Sequence, residues 1–527
     1  MARKRRYPAN VQTFSKMIQD GYVYIDKTDL MWQMVDYSNY VFLSRPRRFG
    51  KSLLSSTLHS YFDGDRELFE GLKIMELEKE WKRYPVIHLD LSVAKGQESA
   101  ETLRDKMFNI LRPYWLEYGR DETETQPGSL LEGIIRRAYE RSSSRVAVII
   151  DEYDAPLLDA LDKPELLEDL RSVMQEFYVP LKAADPTIKF CFITGITKFS
   201  QLSIFSTINN LSVISMLPRF STICGITDEE IDKLLADDIA DLAKDMNCTA
   251  VEMREKLRLM YDGYHFSENS EAVYNPFSLF NALQARRIQN YWFSTGTPRF
   301  LINQMKHFRT DITTMDGIES TSTEFDLPTE GMNSALPILY QAGYLTIKDY
   351  DASSDVYTLC IPNKEVRVGF TQGLLPEYTG LNDGPVQRGF ALKFWNALRN
   401  EDIDLAMREM QSYLAGLPYV EGFKKKLEEV NNVEGFYEWS LYLIFSMLNV
   451  YVVTQQKCAG GRVDVVVHMP STIYVLELKI NGTAQDALQQ INSHNYALPY
   501  ATSDKRVVKV GISFSVRTKT VEEWIVE

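Results

Sequence analysis

Two clusters in this chain have the residue types and spacing for phosphate chemistry. The first is FLSRPRRFGKSLL, residues 42–54. It closes on Gly50-Lys51-Ser52, followed by Leu53, as a phosphate-binding loop does. In a G-x-x-x-x-G-K-[ST] loop, backbone N–H groups cradle phosphate oxygens, the lysine reaches the β and γ oxygens, and the hydroxyl meets Mg²⁺. Here Arg45 stands where the first glycine belongs, and Phe49 precedes Gly50. Arg47 and Arg48 can hold γ-phosphate oxygens or a partner's carboxylate, or can simply solvate the loop. Further on, VAVIIDEYDAP (146–156) runs an apolar stretch into Asp151-Glu152. An acid at a strand's carboxyl end can sit beside Mg²⁺ and phosphates, and the next carboxylate can polarise a water. IKFCFIT (188–194) ends in Thr194, a candidate sensor of the γ-phosphate.

The second cluster lies in the last hundred or so residues. RVDVVVHM (462–469) carries the lone acid Asp464, and STIYVLELKI (471–480) carries Glu477 and Lys479. Two apart on a strand, Glu477 and Lys479 share a face, while Leu476, Leu478 and Ile480 take the other. Charges on an apolar strand need a reason, because burying them unpaired is costly. Two carboxylates from adjacent strands can hold a hard divalent cation, and a lysine can orient water or stabilise developing phosphate charge. A buried structural ion pair between Lys479 and one acid fits the same residues.

The elements that must position these groups are legible. YVFLS (40–44) predicts a buried strand, and Leu53, Leu54, Leu58, Tyr61 and Phe62 then recur at helical spacing. The GKS triplet therefore sits between a strand and a helix, whose N-terminus adds free N–H groups and a positive dipole end. PVIHLDLS (85–92) supplies another strand. Alternating strands and helices predict an α/β layered domain with a mostly parallel sheet, in which ligands bind beyond the strands' carboxyl ends. After about residue 225 the pattern turns helical, and Asp228 is the expected N-cap of TDEEIDKLLADDIADLAKDM. Tyr264 and Phe277 in the aromatic-rich stretches that follow suit core packing better than adenine stacking. ALPILYQAGYLTIKDYDASSDVYTLCI reads as a helix and a β-hairpin, winged-helix-like. Its Asp349, Asp351 and Asp355 would repel phosphate, which favours internal packing over DNA binding. The C-terminal order is helix, three strands, helix and a last strand, VVKVGISFS (507–515).

SRPRRFGKSLL, with YIDKT (24–28), IIDEYDAPL, ITGITKFS and YNPFSLF, resembles the bacterial predicted AAA-ATPase-like family. These are divergent P-loop proteins whose phosphate loop often reads RPRRFGKS, so Arg45 is a habit of the family resembled. The resemblance covers nearly the whole chain. It implies an ASCE/AAA-like P-loop NTPase core over residues 1–225 and a helical lid with a winged-helix-like region over 226–385. Lys51 and Ser52 become phosphate and Mg²⁺ residues, Asp151 the Mg²⁺ acid and Glu152 the catalytic base. Over 386–527 the D-x12-E-x-K spacing within an αβββαβ order resembles the PD-(D/E)xK nuclease superfamily, a restriction-endonuclease-like fold. That resemblance implies Asp464 and Glu477 as ligands of Mg²⁺ or Mn²⁺, Lys479 as the catalytic lysine and Glu438 as an added helix carboxylate. Gln490 matches a glutamine often seen on the next helix, whereas the proline of the motif's name is replaced by Val463.

The bulk numbers bound the function. A chain of 527 residues suggests three to four domains at roughly 100–200 residues each. A net charge of −14 confines any nucleic-acid contact to local patches. Residues 435–527 hold eight Lys+Arg and eight Asp+Glu, so a nuclease there must borrow phosphate contacts. Arg3–Arg6, Arg47-Arg48 and Lys424–Lys426 are the basic runs at hand, each otherwise a solvated charge run. Five separated cysteines without a CxxC pair argue against a zinc site or a disulfide framework and fit a reducing compartment. The basic start lacks an apolar signal-peptide core, and no apolar run reaches membrane-spanning length, so a cytoplasmic protein without a membrane span is expected. The first functional expectation is an ATP-binding and ATP-hydrolysing protein whose nucleotide state gates a metal-dependent nuclease acting on nucleic acid. The alternative is a nucleotide-dependent switch or scaffold whose C-terminal domain binds without cleaving. Homo-oligomer formation, and an arginine acting in trans such as Arg219, are left open.

Overall fold

The computed structural model describes all residues except 1–4, 199–209, 293–298, 309, 311–314, 329–331, 371–389, 391–392, 395, 416–450, 459–460, 470, 481, 516 and 519. Glu438, Lys424–Lys426, Arg3 and Lys4 lie outside the described residues. The chain divides into two compact units, Met1–Thr310 with Gly317–Glu365, and Asp311–Asp316 with Val366–Glu527.

The first unit is built on a five-stranded sheet of β1 (Tyr40–Ser44), β2 (Val86–Asp90), β3 (Val146–Asp151), β4 (Ile188–Gly195) and β5 (Ser212–Val213). Their order is β2-β3-β4-β1-β5, and every neighbouring pair is parallel. β1 and β3 are buried along their whole length, as unbroken apolar strands covered on both faces must be. Helices Ala100–Tyr118, Pro127–Ser142 and Pro164–Ala183 lay Leu103, Ile134 and Phe177 against Val148 and Ile150. Because all strands run one way, the ends Ser44, Asp90, Asp151 and Gly195 emerge on one edge.

Four short helices follow, Asp228–Leu234, Ala236–Asp245, Ala250–Tyr261 and Pro276–Ala285, around Ile231, Ile239, Leu257 and Leu279. Asp228 is not the N-cap. Thr227 is, in a reciprocal capping box with Glu230, and Asp228 takes the first helical position. There its carboxylate pairs with Arg254 and Arg258. Helix Leu336–Gln341 leads into an antiparallel sheet in the order β6 (Ile318–Ser320), β8 (Val356–Cys360), β7 (Thr346–Asp351). Asp349, Asp351 and Asp355 are exposed on the β7–β8 hairpin.

The second unit holds β9 (Tyr451–Cys458), β10 (Gly461–His468), β11 (Thr472–Ile480), β12 (Arg506–Ser515) and β13 (Thr520–Val526), ordered β13-β12-β11-β10-β9. β11 and β12 are parallel, joined across helix Ala484–Ser493. β12 is not the last strand. β13 pairs antiparallel with it at the sheet edge, where Glu522 and Glu523 are exposed and break the apolar alternation that marks the other strands. Gly511 on β12 is required by packing, since a Cβ there would lie 2.2 Å from the Ala484 carbonyl oxygen. The helix therefore sits directly on the sheet.

His88 in β2 lies with its ring centroid 5.4 Å from that of His59, and burial holds it down to about 4. The unfolded chain thus binds a proton between about pH 6.5 and 4 that the folded chain refuses, so this contribution is lost as pH falls through that window. His88→Gln is expected to flatten the acid limb of stability by up to about 1.4 kcal/mol per pH unit, read from urea midpoints between pH 4 and 7.

Candidate active sites

The phosphate loop is held from beneath by the residue that breaks its motif. Arg45 is 1% exposed. Its guanidinium donates to the carbonyls of Ser44 (2.9 Å), Ser215 (2.7 Å) and Phe220 (3.0 Å), and lies 4.1 Å from the Phe266 ring centroid. Burial brings the group down to about 10. Phe49 is buried against Tyr264 and Phe266, at centroid distances of 4.7 and 5.4 Å. These aromatics are core, and they clamp the loop. Arg48 takes a φ of 68° and lays its guanidinium 4.7 Å from the Phe277 ring centroid. The Arg47 carbonyl accepts the indole N–H of Trp292 at 3.1 Å.

Gly50, at φ 96°, caps helix Lys51–Phe62. The Lys51 ammonium donates to the carbonyls of Arg45 (2.9 Å) and Pro46 (3.1 Å). Burial depresses its pKa, while Glu152, Asp151 and Asp154 hold it up. The Ser52 hydroxyl lies beside the Asp151 carboxylate and pulls its pKa down, but burial outweighs it and pushes the group up to about 6. A hydroxyl and one carboxylate side by side are what Mg²⁺ takes from a protein when phosphates supply further ligands. Burial would raise the Glu152 carboxyl, but Lys51 and Lys95 outweigh it and hold it below its ordinary value. Lys95 reaches Glu152 at 2.8 Å. A cavity of about 400 Å³ brings Arg47, Arg48, Lys51, Ser52, Lys95 and Glu152 together, within the range of small-molecule sites. A smaller apolar cavity of about 80 Å³ shares Gly50 and Leu53 with it and is lined by Tyr24, Ile25, Lys27 and Thr28 of the YIDKT segment. Thr194 is fully buried and donates its hydroxyl to the Leu43 carbonyl at 2.6 Å, so it faces into the sheet. Arg219 donates to the Gln33 side chain at 3.0 Å.

In the second unit, Val465 pairs with Leu476 in the antiparallel β10–β11 register, and one further step sets Asp464 across from Glu477. The Asp464 carboxylate accepts the Leu478 N–H at 2.8 Å. Glu477 is 1% exposed, with one carboxyl oxygen 3.7 Å from the Lys479 ammonium and Oε2 buried without a hydrogen-bond partner. Burial first, then the Asp464 charge, push Glu477 up to about 8 against the pull of Lys479. Lys479 donates to Gln490 Oε1 at 2.5 Å, from the helix seated at Gly511. Facing carboxylates with one oxygen unsatisfied fit a divalent cation better than a closed ion pair. Among the described residues, no group of three or more His, Cys, Asp or Glu side chains could hold a metal ion.

Residues 8–205 match the family described as predicted AAA-ATPase, and residues 432–524 match the PD-(D/E)XK nuclease superfamily. The chain is 31% identical, over 99% of each sequence, to an uncharacterized protein in the vnfD 5' region of Azotobacter chroococcum mcd 1. This chain belongs to the predicted AAA-ATPase family. No helix among its described residues is long and apolar enough to cross a membrane.

Three residues of this predicted AAA-ATPase escaped the sequence reading. Asp90 ends β2 and Lys95 lies just beyond it, and their one signal was a position at or past a strand's carboxyl end. Asp154 is fully buried, and its Oδ2 accepts the N–H groups of Ile196 (3.0 Å) and Thr197 (2.7 Å), which fixes the end of β4 beside the site.

Arg45→Gly would restore the motif glycine, yet it removes the donors to three buried carbonyls. It is expected to cost at least about 2 kcal/mol and to weaken ATP binding, read by thermal unfolding and calorimetry. Lys95→Ala removes the ion-pair partner of the Glu152 carboxylate and raises its basicity, with Lys51 still holding it down. Basal ATP hydrolysis is expected to rise about two- to tenfold, whereas a fall would make Lys95 a phosphate contact.

Proposed function

We propose that this protein binds ATP with Mg²⁺ at Arg47–Leu53, hydrolyses it, and through its nucleotide state gates a metal-dependent nuclease in its second unit. The observation that carries the nucleotide half is the convergence of Lys51, Ser52, Asp151 and Glu152 at one sheet edge. The interposition of β4 between β1 and β3 supports an ASCE/AAA-like core. The 226–365 helices and hairpin, whose aromatics clamp the loop, support the lid and winged-helix-like assignment.

In this reading the Lys51 ammonium exchanges its loop carbonyls for the β and γ oxygens. Ser52 and Asp151 would hold a Mg²⁺ ion, which would supply charge neutralisation. Glu152 accepts a proton as water attacks the γ phosphorus, the β–γ bridge bond breaks, and ADP leaves with the bonding pair. The apolar cavity beside Gly50 and Leu53 suits the edge of the base. In the second unit Asp464 and Glu477 would hold a divalent ion, Mg²⁺ or Mn²⁺, which supplies Lewis-acid activation of water and phosphate. Lys479, positioned by Gln490, stabilises charge developing on the phosphodiester. The unpartnered Glu477 Oε2 favours a cleaving site over a binding fold alone.

Single- and double-stranded DNA and RNA, incubated in Mg²⁺ or Mn²⁺ with and without ATP, test this directly. Glu477→Gln is expected to lower cleavage by at least about 100-fold with ATP hydrolysis intact. Lys51→Ala is expected to lose ATP binding and, with it, the ATP dependence of cleavage. Nucleotide-dependent assembly with no cleavage under any condition would overturn the nuclease reading in favour of a switch.

A further inference from the structure

Glu365 belongs to neither site, yet it is among the most deeply buried charged groups in the protein, at 1% exposed. It is the last residue of the first unit. The chain leaves that unit within helical residues 364–370. Glu365 Oε1 accepts the backbone N–H of Trp292 at 2.7 Å. The buried Ser278 hydroxyl beside it has no hydrogen-bond partner. Ser278 lies on helix Pro276–Ala285, which sends Pro276, Phe277 and Phe280 to the nucleotide cavity. Trp292 packs on Tyr344, with centroids 5.1 Å apart, and gives its indole N–H to the Arg47 carbonyl of the phosphate loop. Two hydrogen bonds, through one residue, therefore join the loop to the exit of the chain.

The neighbouring backbone is mounted on the same floor. The Asn363 side chain donates to the Asp262 carbonyl at 2.8 Å. A Cβ on Gly263, at φ 94°, would lie 2.2 Å from the Pro362 carbonyl oxygen. Tyr264, next in sequence, packs edge-on to Phe49 of the loop. Gly343 also meets Pro46 closely, since a Cβ there would fall 2.6 Å from the proline's Cβ. Residues 361–365 thus have little room to stay still if the loop reshapes. Burial pushes the Glu365 carboxyl up to about 7. A buried carboxylate of this kind is costly to leave unpaired, which ties its position to its donors.

We propose that Trp292 and Glu365 are positioning residues that hold the phosphate loop through the Arg47 carbonyl and carry its nucleotide state into the helix by which the chain enters its second unit. This rests on the nucleotide-binding reading above, and it names the route by which that site regulates the rest of the chain.

Amide hydrogen exchange on the full chain, with and without saturating Mg²⁺ and the non-hydrolysable analogue AMP-PNP, tests it beside calorimetric binding. The wild type is expected to bind the nucleotide and to change exchange across residues 361–370. Trp292→Phe keeps an aromatic ring and the backbone N–H but removes the indole donor. It is expected to weaken nucleotide binding about three- to tenfold, the worth of one hydrogen bond, and to cut the change at 361–370 to under about a third at saturation. A second pair guards against a folding failure. Glu365→Gln keeps an acceptor for the Trp292 N–H and should retain the response, while Glu365→Ala should lose it. An undiminished response in Trp292→Phe, equal responses in the two Glu365 variants, or bound nucleotide with no change at 361–370 in the wild type would overturn the relay. Absence of nucleotide binding by the wild type would overturn the functional reading beneath it.

Discussion

A guanidinium buried under the Arg45–Ser52 loop sets the terms for the strand-end edge of the first unit. Arg45 carries its charge where a glycine is usual, and three backbone carbonyls and the face of Phe266 compensate it. Those partners come from residues 44, 215, 220 and 266, so one side chain ties the P-loop strand to segments far along the chain. Removing a buried charge-assisted donor leaves its acceptors stranded, which is why such a residue can replace a flexible glycine without loosening the loop. The flexibility a glycine would provide is not needed when Phe49, Trp292 and Pro46 are also locked by packing.

The same physics recurs at both sites. Carboxylates are placed at strand positions where water is scarce, and each is left short of full compensation. Asp151 and Glu477 are both pushed upward by burial, and both face another acid across a parallel or antiparallel neighbour. A fully satisfied network would be a stable salt bridge and nothing more. The Glu477 Oε2 is without a hydrogen-bond partner, and the Lys51 ammonium is held by two loop carbonyls.

Much of the site was legible because its groups sit at strand ends and strand faces, where local pattern and chemistry coincide. The apolar runs before Asp151 and around Asp464 and Glu477 marked strands, and a charge inside such a run is conspicuous. Lys95 was not legible, since a lysine in the turn after β2 looks like any solvated lysine until the parallel pairing brings β2 beside β3. β13 was hidden because an edge strand exposes acids and loses the alternation that identifies its neighbours. The N-cap of helix Asp228–Leu234 moved by one residue because Thr227 and Glu230 cap each other, which frees Asp228 for its arginines.

By itself the sequence determined which side chains can do chemistry and which elements present them, because periodicity, glycine and motif spacing are local properties. It determined the β–loop–helix setting of Gly50-Lys51-Ser52 and the shared strand face of Glu477 and Lys479. Only the tertiary structure decided what those groups meet. It turned the Thr194 hydroxyl into the sheet, brought Lys95 to Glu152, and set Asp464 opposite Glu477. It also joined Arg47 to Trp292 and Glu365 across hundreds of residues. Burial and long-range pairing set the cost of each charge, and neither is written in any one stretch of chain.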